Sequence, residues 1–163
     1  MADSVRSSAE GVSIVRAKVE NAPAIKSMVV AAYSKYIERI GKPPAPMLTD
    51  YAEVINTEDV FVLQTNDNKT VVGSIVLDLH GAADSIKINN LVVDPTAQGR
   101  GYGRVLMKYA EDVARAQGAK AITLYTNVKM FENLILYPKM GFKETERKID
   151  AGYERVYFRK GLE

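Results

Sequence analysis

Apolar and polar residues alternate over residues 13–19 (SIVRAKV), the spacing of a strand buried on one face. The period then changes. Ile25, Met28, Val29, Ala32, Tyr33, Tyr36, Ile37 and Ile40 recur every three or four positions. That spacing predicts one helix, opened by Asn21 and Pro23 and closed by Gly41. KPPAP, residues 42–46, predicts an extended crossing, because each proline holds its predecessor out of the helical region. Thr49-Asp50 then predicts the start of a short helix through Ile55. β-rich runs follow at Asp59–Thr65, residues 70–79 and Ser85–Val93, separated by turn residues at 66–69 and 80–84. Val105, Leu106, Tyr109, Ala110, Val113 and Ala114 form a single apolar helical stripe that Gly118 closes. Residues 121–126 read as a strand, 129–140 as a helix, and 142–149 with 153–159 as a final hairpin around Asp150-Ala151-Gly152.

The predicted order is β-α-α-β-β-β-α-β-α-β-β. Antiparallel strands feeding a β-α-β-α unit predict an α/β (α+β) fold, a mixed sheet with helices on both faces. The 163 residues divide into an expected disordered arm, 1–12, and one expected domain, 13–163.

Composition narrows the functional classes. The 22 basic and 20 acidic residues leave a net charge of +2, which gives no ground for a nucleic-acid partner or an anionic membrane. No apolar stretch nears the roughly 18 residues of a spanning helix, and the first residues lack a signal peptide's apolar core, so a cytoplasmic location is expected. The chain has no cysteine, which removes disulfides, Cys-ligated metals and thiol-borne acyl intermediates; no metal is expected.

Gln98-Gly99-Arg100-Gly101-Tyr102-Gly103 sits between a predicted strand and a predicted helix, with glycine at three alternate positions. A tight turn alone needs one glycine; three suit a backbone that a ligand approaches closely. The N–H groups at a helix start, backed by the positive end of its dipole, match phosphate. A P-loop needs GxxxxGK[ST], which this turn lacks. A dinucleotide fingerprint needs GxGxxG and an acid about 20 residues on, where Lys120 and Ala121 stand.

The six residues fit the pattern Q/R-x-x-G-x-G/A. With LVVDP (91–95) and LYPKMGF (136–142), the chain resembles the GNAT superfamily of acetyl-CoA-dependent N-acetyltransferases, from Ser13 to Leu162. The resemblance implies that fold, acetyl-CoA as co-substrate, and direct attack by a primary amine of a small molecule or peptide in a ternary complex. It implies that the strand Leu91-Val92-Val93 takes the pantetheine arm, Leu91 and Val93 through their main chain. Gln98, Gly99, Arg100, Gly101, Tyr102 and Gly103 would take the pyrophosphate, with Arg100 and Arg104 adding charge. Tyr137 would be the general acid. Asn133, one turn earlier, would replace an asparagine that relatives carry seven residues before the tyrosine, where this chain has Met130. Pro138 deletes an N–H in the same helix and loosens its end.

No carboxylate stands in Ile86-Lys87-Ile88-Asn89-Asn90, so the base is left open among Asp78, His80, Glu38 and Asp50. For the acceptor the candidates are Tyr33, Tyr36, Met47 and Asp50, whose aromatic and acidic groups suit a cationic amine. Tyr33 and Tyr36 also lie on the apolar stripe and suit core packing. The missing base keeps a second reading open, a non-catalytic acyl-CoA-binding sensor module on the same fold. In similar proteins a homodimer commonly forms through the last hairpin or the fifth strand, and in this hairpin Val156 and Phe158 alternate with Tyr157.

Overall fold

The computed structural model describes residues 11–162. The expected arm lies outside the described residues as far as residue 10; beyond it, buried Val12 already opens the first strand. The elements are β1 (Val12–Arg16), α1 (Ala22–Tyr33), α2 (Tyr36–Ile40), α3 (Tyr51–Thr57), β2 (Asp59–Thr65), β3 (Val71–Asp78) and β4 (Ser85–Val93), then α4 (Tyr102–Ala116), β5 (Ala121–Asn127), α5 (Phe131–Lys139), β6 (Lys143–Asp150) and β7 (Tyr153–Gly161). All seven strands form one sheet in the order β1-β2-β3-β4-β5-β7-β6, antiparallel except for the parallel pair β4–β5. This is the mixed α/β arrangement expected from the element order.

The first helical run differs from expectation. It is two helices, because the Ser34 hydroxyl donates to the Val30 carbonyl and Ile37 N–H bonds Ser34 rather than the residue four back. Such side-chain competition bends a helix. The proline-rich crossing is extended only to Pro44, then tightens into a 3₁₀ turn, Ala45–Leu48.

Strand alternation sorts the side chains onto two cores. Phe61, Leu63, Ile75, Leu77, Ile86 and Ile88 pack on the face covered by α4, whose buried stripe includes Leu106, Tyr109, Ala110 and Val113. Val60, Val62, Val76 and Val92 point the other way, against Ile25, Met28 and Val29 of α1 and Tyr51 of α3. In β7, Val156 and Phe158 belong to the α4-side core, so neither offers the surface that pairing through the last hairpin would need. The exposed edge is β6, whose residues KETERKID are all exposed and mostly charged, a composition that discourages strand addition.

One irregularity positions the site. Ile88 and Leu91 are three apart in β4 yet both pack on the α4 side, which a regular strand cannot do. The register explains it: Leu77 pairs with Ile88 and Val76 with Asn90, leaving Asn89 as an extra, bulged residue. Pairing of β4 with β5 stops at the same point, at Ile88 and Leu124. Beyond it the two strands run on to Val93 and Asn127 paired with β3 and β7 but not with each other, and a gap opens between them.

Candidate active site

On one side the gap widens into a groove of about 390 Å³. Leu91, Val92 and Val93 form one wall, Leu136 and Tyr137 of α5 with the following Met140 another, and the turn before α4 closes the end. That turn is built for close backbone approach. Gly99 and Gly101 hold φ of +84° and +79°, and Gly101 is the residue that caps α4. A Cβ on either would meet no protein atom within 4 Å, so the space in front of both is open. The first N–H groups of α4 have no acceptor inside the helix and carry its positive dipole end. Gln98, Gly99, Gly101, Tyr102, Gly103 and Arg104 all line the groove; Arg100 is exposed and is not among its described lining residues. An anionic, extended ligand with a bulky diphosphate fits this cradle.

On the other side lies a smaller cavity of about 80 Å³, bounded by Pro44, Ala45 and Pro46, by Asn89 and Asn90 of β4, by Tyr125 and Thr126 of β5, and by Tyr153 and Arg155 of β7. The two spaces share Tyr33, Leu91, Met107, Asn133 and Tyr137. Tyr137 therefore stands where they meet. Its ring packs edge-on against Phe142 and tilted against Phe158, at centroid distances of 5.7 Å each. Burial pushes its phenol up to about 12, with Tyr36 nearby adding to the shift. Asn133 is fixed beside it: its amide donates to Thr126 Oγ1 at 3.0 Å.

The acceptor candidates separate. Tyr33 reaches the gap, where its hydroxyl donates to the Leu91 carbonyl at 3.3 Å and accepts from Asn90 Nδ2 at 3.3 Å. Burial, reinforced by Tyr137 and Tyr51, raises its phenol far above the usual range. Tyr36 lines the donor-side groove, with the Lys35 ammonium and Arg39 guanidinium over its ring. Met47 is packed against the α1-side core, and its carbonyl accepts from Lys26 Nζ. Asp50 is the N-cap of α3, accepting from Glu53 N–H at 3.2 Å. An Asp50→Ala variant is therefore expected to lose about 1 kcal/mol of stability, the usual worth of a cap, read as a lower Tm with substrate KM unchanged.

None of the four base candidates lines the gap among the described residues. Asp78 accepts the His80 and Gly81 N–H groups and so closes a turn, His80 is exposed in that turn, and Glu38 is exposed on α2. A carboxylate stands next door: Glu58, just before β2, lines a third space of about 210 Å³ with Asn89, Asn90 and Tyr125, residues that also bound the smaller cavity. Asn89 Nδ2 donates to Glu58 Oε1 at 2.6 Å, so the bulge residue fixes that carboxylate in place. Arg39 of α2, whose guanidinium lies over Tyr36, forks onto Glu132 of α5 at 2.8 and 3.3 Å and holds that carboxyl down to about 2.

Residues 24–142 match the family model described as Acetyltransferase (GNAT) family. The chain is 38% identical over 88 residues to the IAA acetyltransferase of Azospirillum brasilense, covering 53% of this chain and 56% of that one. It is 37% identical over 82 residues to the aminoalkylphosphonate N-acetyltransferase of Salmonella typhimurium, covering 48% of this chain and 53% of that one. The matched stretch thus spans about half the length of these relatives. The fold superposes on a GNAT family acetyltransferase from Elizabethkingia anophelis solved with acetyl-CoA bound, with a TM-score of 0.67 at 17% identity, over 94% of this chain and 100% of that one.

Proposed function

Because the chain belongs to the acetyltransferase (GNAT) family, we propose that it moves an acetyl group from acetyl-CoA to a primary amine by direct attack in the β4–β5 gap. The observation that carries this reading is the shared wall: the groove at the glycine turn and the smaller cavity meet at Tyr137. The relative named for aminoalkylphosphonate supports a small-molecule amine as acceptor.

In this reading the N–H groups of residues 99–104 hold the pyrophosphate, with Gln98 and Arg104 beside it. Leu91-Val92-Val93, paired with β3 but not with β5, takes the pantetheine amides on its β5 side as an added strand would. Tyr33 uses one lone pair of the Leu91 carbonyl and leaves the second. Bound acetyl-CoA supplies the thioester carbon. A backbone N–H of Leu91 or Val93 stabilises the oxyanion, being fixed before charge develops. As the C–N bond forms and the C–S bond breaks, Glu58 receives the amine's proton through water and Tyr137 donates its phenolic proton to the departing sulfur.

Two measurements test it. Protein mixed with acetyl-CoA and a panel of primary amines releases free thiol at a rate that depends on the amine; release indifferent to every amine contradicts the proposal. Glu58→Gln is expected to lower kcat roughly 10–100-fold near neutral pH. The deficit should narrow as pH rises and the amine loses its proton without help. A deficit constant across pH would remove Glu58 from the proton path.

A further inference from the structure

The smaller cavity holds a guanidinium that the reaction above leaves unused. Arg155 is 8% exposed, and its charge is rarely buried to that degree without a purpose. The guanidinium lies over Tyr125 at 4.3 Å and near Tyr153 at 5.7 Å, both of which line the same cavity. Lys87 of β4 stands over the Tyr125 ring as well, at 4.8 Å, so two cations flank one aromatic floor. One carboxylate answers Arg155: Asp150 Oδ2 at 2.9 Å, on a side chain that is 54% exposed. Asp150 divides its attention, since it also accepts from the Tyr157 hydroxyl at 3.2 Å. A guanidinium has five N–H donors, so Asp150 together with the Tyr157 hydroxyl, which Arg155 also engages, leaves part of the fork uncommitted.

Sheet order gives the cavity a polarity. Glu58, at the start of β2 and held by Asn89, lies on the β3 side of the gap, while Arg155 of β7 lies on the β5 side. An acceptor in the smaller cavity therefore meets the cation directly and faces, past the shared Asn89, Asn90 and Tyr125, the adjoining space that Glu58 lines. Its size is bounded too: about 80 Å³ admits a handful of heavy atoms, given that one water needs about 10–15 Å³ of such space.

Resting on the acetyl-transfer reading, we propose that the acceptor is a small primary amine that also carries an oxyanionic group, carboxylate or phosphonate, and that Arg155 holds that group while the amine lies toward Glu58. The planar fork suits a bidentate oxyanion, and burial strengthens the pairing. A neutral or doubly cationic amine would leave the guanidinium without this partner and, for the diamine, set like charges together.

The test is a matched panel with wild-type protein and acetyl-CoA: amino carboxylic acids of graded length, aminoalkylphosphonates, the carboxamides of the same acids, and diamines. The best oxyanionic acceptor is expected to exceed its uncharged counterpart at least about tenfold in kcat/KM, the usual worth of a charge-assisted hydrogen bond. Carboxylate against phosphonate arms identify the oxyanion. Arg155→Gln is expected to bring the acid-to-amide ratio near one, and Arg155→Lys to retain part of it, each checked for folding by the Tm rise that coenzyme A produces. Equal wild-type rates for acid and amide, a preference for diamines, or an unchanged ratio in a folded Arg155→Gln protein overturns the assignment. Those outcomes leave acetyl transfer standing; an absence of turnover with every amine class overturns both.

Discussion

Gly101→Glu is expected to abolish binding of acetyl-CoA, with affinity falling at least about 100-fold. Two costs combine. Gly101 holds φ of +79°, a region that costs a side-chain-bearing residue about 1–2 kcal/mol. The larger cost falls on the ligand: the open space in front of Gly101 would fill with a carboxylate pointing where the proposal puts a pyrophosphate, and like charges there oppose the helix-terminal N–H groups. Two controls separate the effects. Gly101→Asn tolerates the left-handed backbone and adds no charge, so it should weaken binding far less. Gly103→Ala should change it less than about threefold, because Gly103 lacks a positive φ and its Cβ would meet only Val93 Cγ2 at 4.0 Å. Calorimetric titration with coenzyme A reads all three. Retained affinity in Gly101→Glu would mean that the cradle holds something else.

Tyr137→Phe is the second large effect, an expected loss of about 100-fold in kcat with KM for acetyl-CoA moved less than about threefold. This sits at the low end of what a positioned acid contributes. The physical reason is the phenol's environment. Burial pushes it up to about 12, which keeps the proton on Tyr137 at every working pH but also makes it a reluctant donor. In the proposed reaction it then hydrogen-bonds the sulfur and passes the proton only as the C–S bond breaks. A raised phenol is lost from the acid form only as pH climbs toward 12, so wild-type kcat should show no alkaline fall assignable to this group below about pH 10. The Phe ring preserves the contacts with Phe142 and Phe158, so Tm should change little. A Tyr137→Phe protein with undiminished kcat would assign the acid elsewhere.

Much of the fold is legible from period alone. Asp59–Thr65 and Ser85–Val93 are strands with those bounds, because alternation and flanking turns act locally. The break between α1 and α2 is not visible in an apolar stripe that runs on through Tyr36; it follows from one hydroxyl at Ser34. The glycine turn was readable since its unusual feature, three glycines, lies within six residues. The proposed acceptor side is not. Glu58, Asn89, Tyr125 and Arg155 come from four strands or strand ends and line two adjoining spaces only through sheet order and the bulge at Asn89. Asn89-Asn90 interrupting an apolar strand was the signal that a bulge stood there. Tyr153, Arg155 and Tyr157 at alternate positions place a polar and aromatic face on β7, the one the proposal uses. Conversely, Met47 and Asp50 looked like acceptor residues by type and segment, yet one packs in the α1-side core and the other caps α3.

The central claim is that one ligand path runs from the glycine turn through the β4–β5 gap to Tyr137. A crystal structure of the protein with coenzyme A tests it most directly. The expected result is pyrophosphate on the N–H groups of residues 99–104, pantetheine along Leu91-Val92-Val93, and the thiol within hydrogen-bonding reach of the Tyr137 hydroxyl. Coenzyme A bound elsewhere, or a thiol directed away from Tyr137 and the smaller cavity, would contradict it.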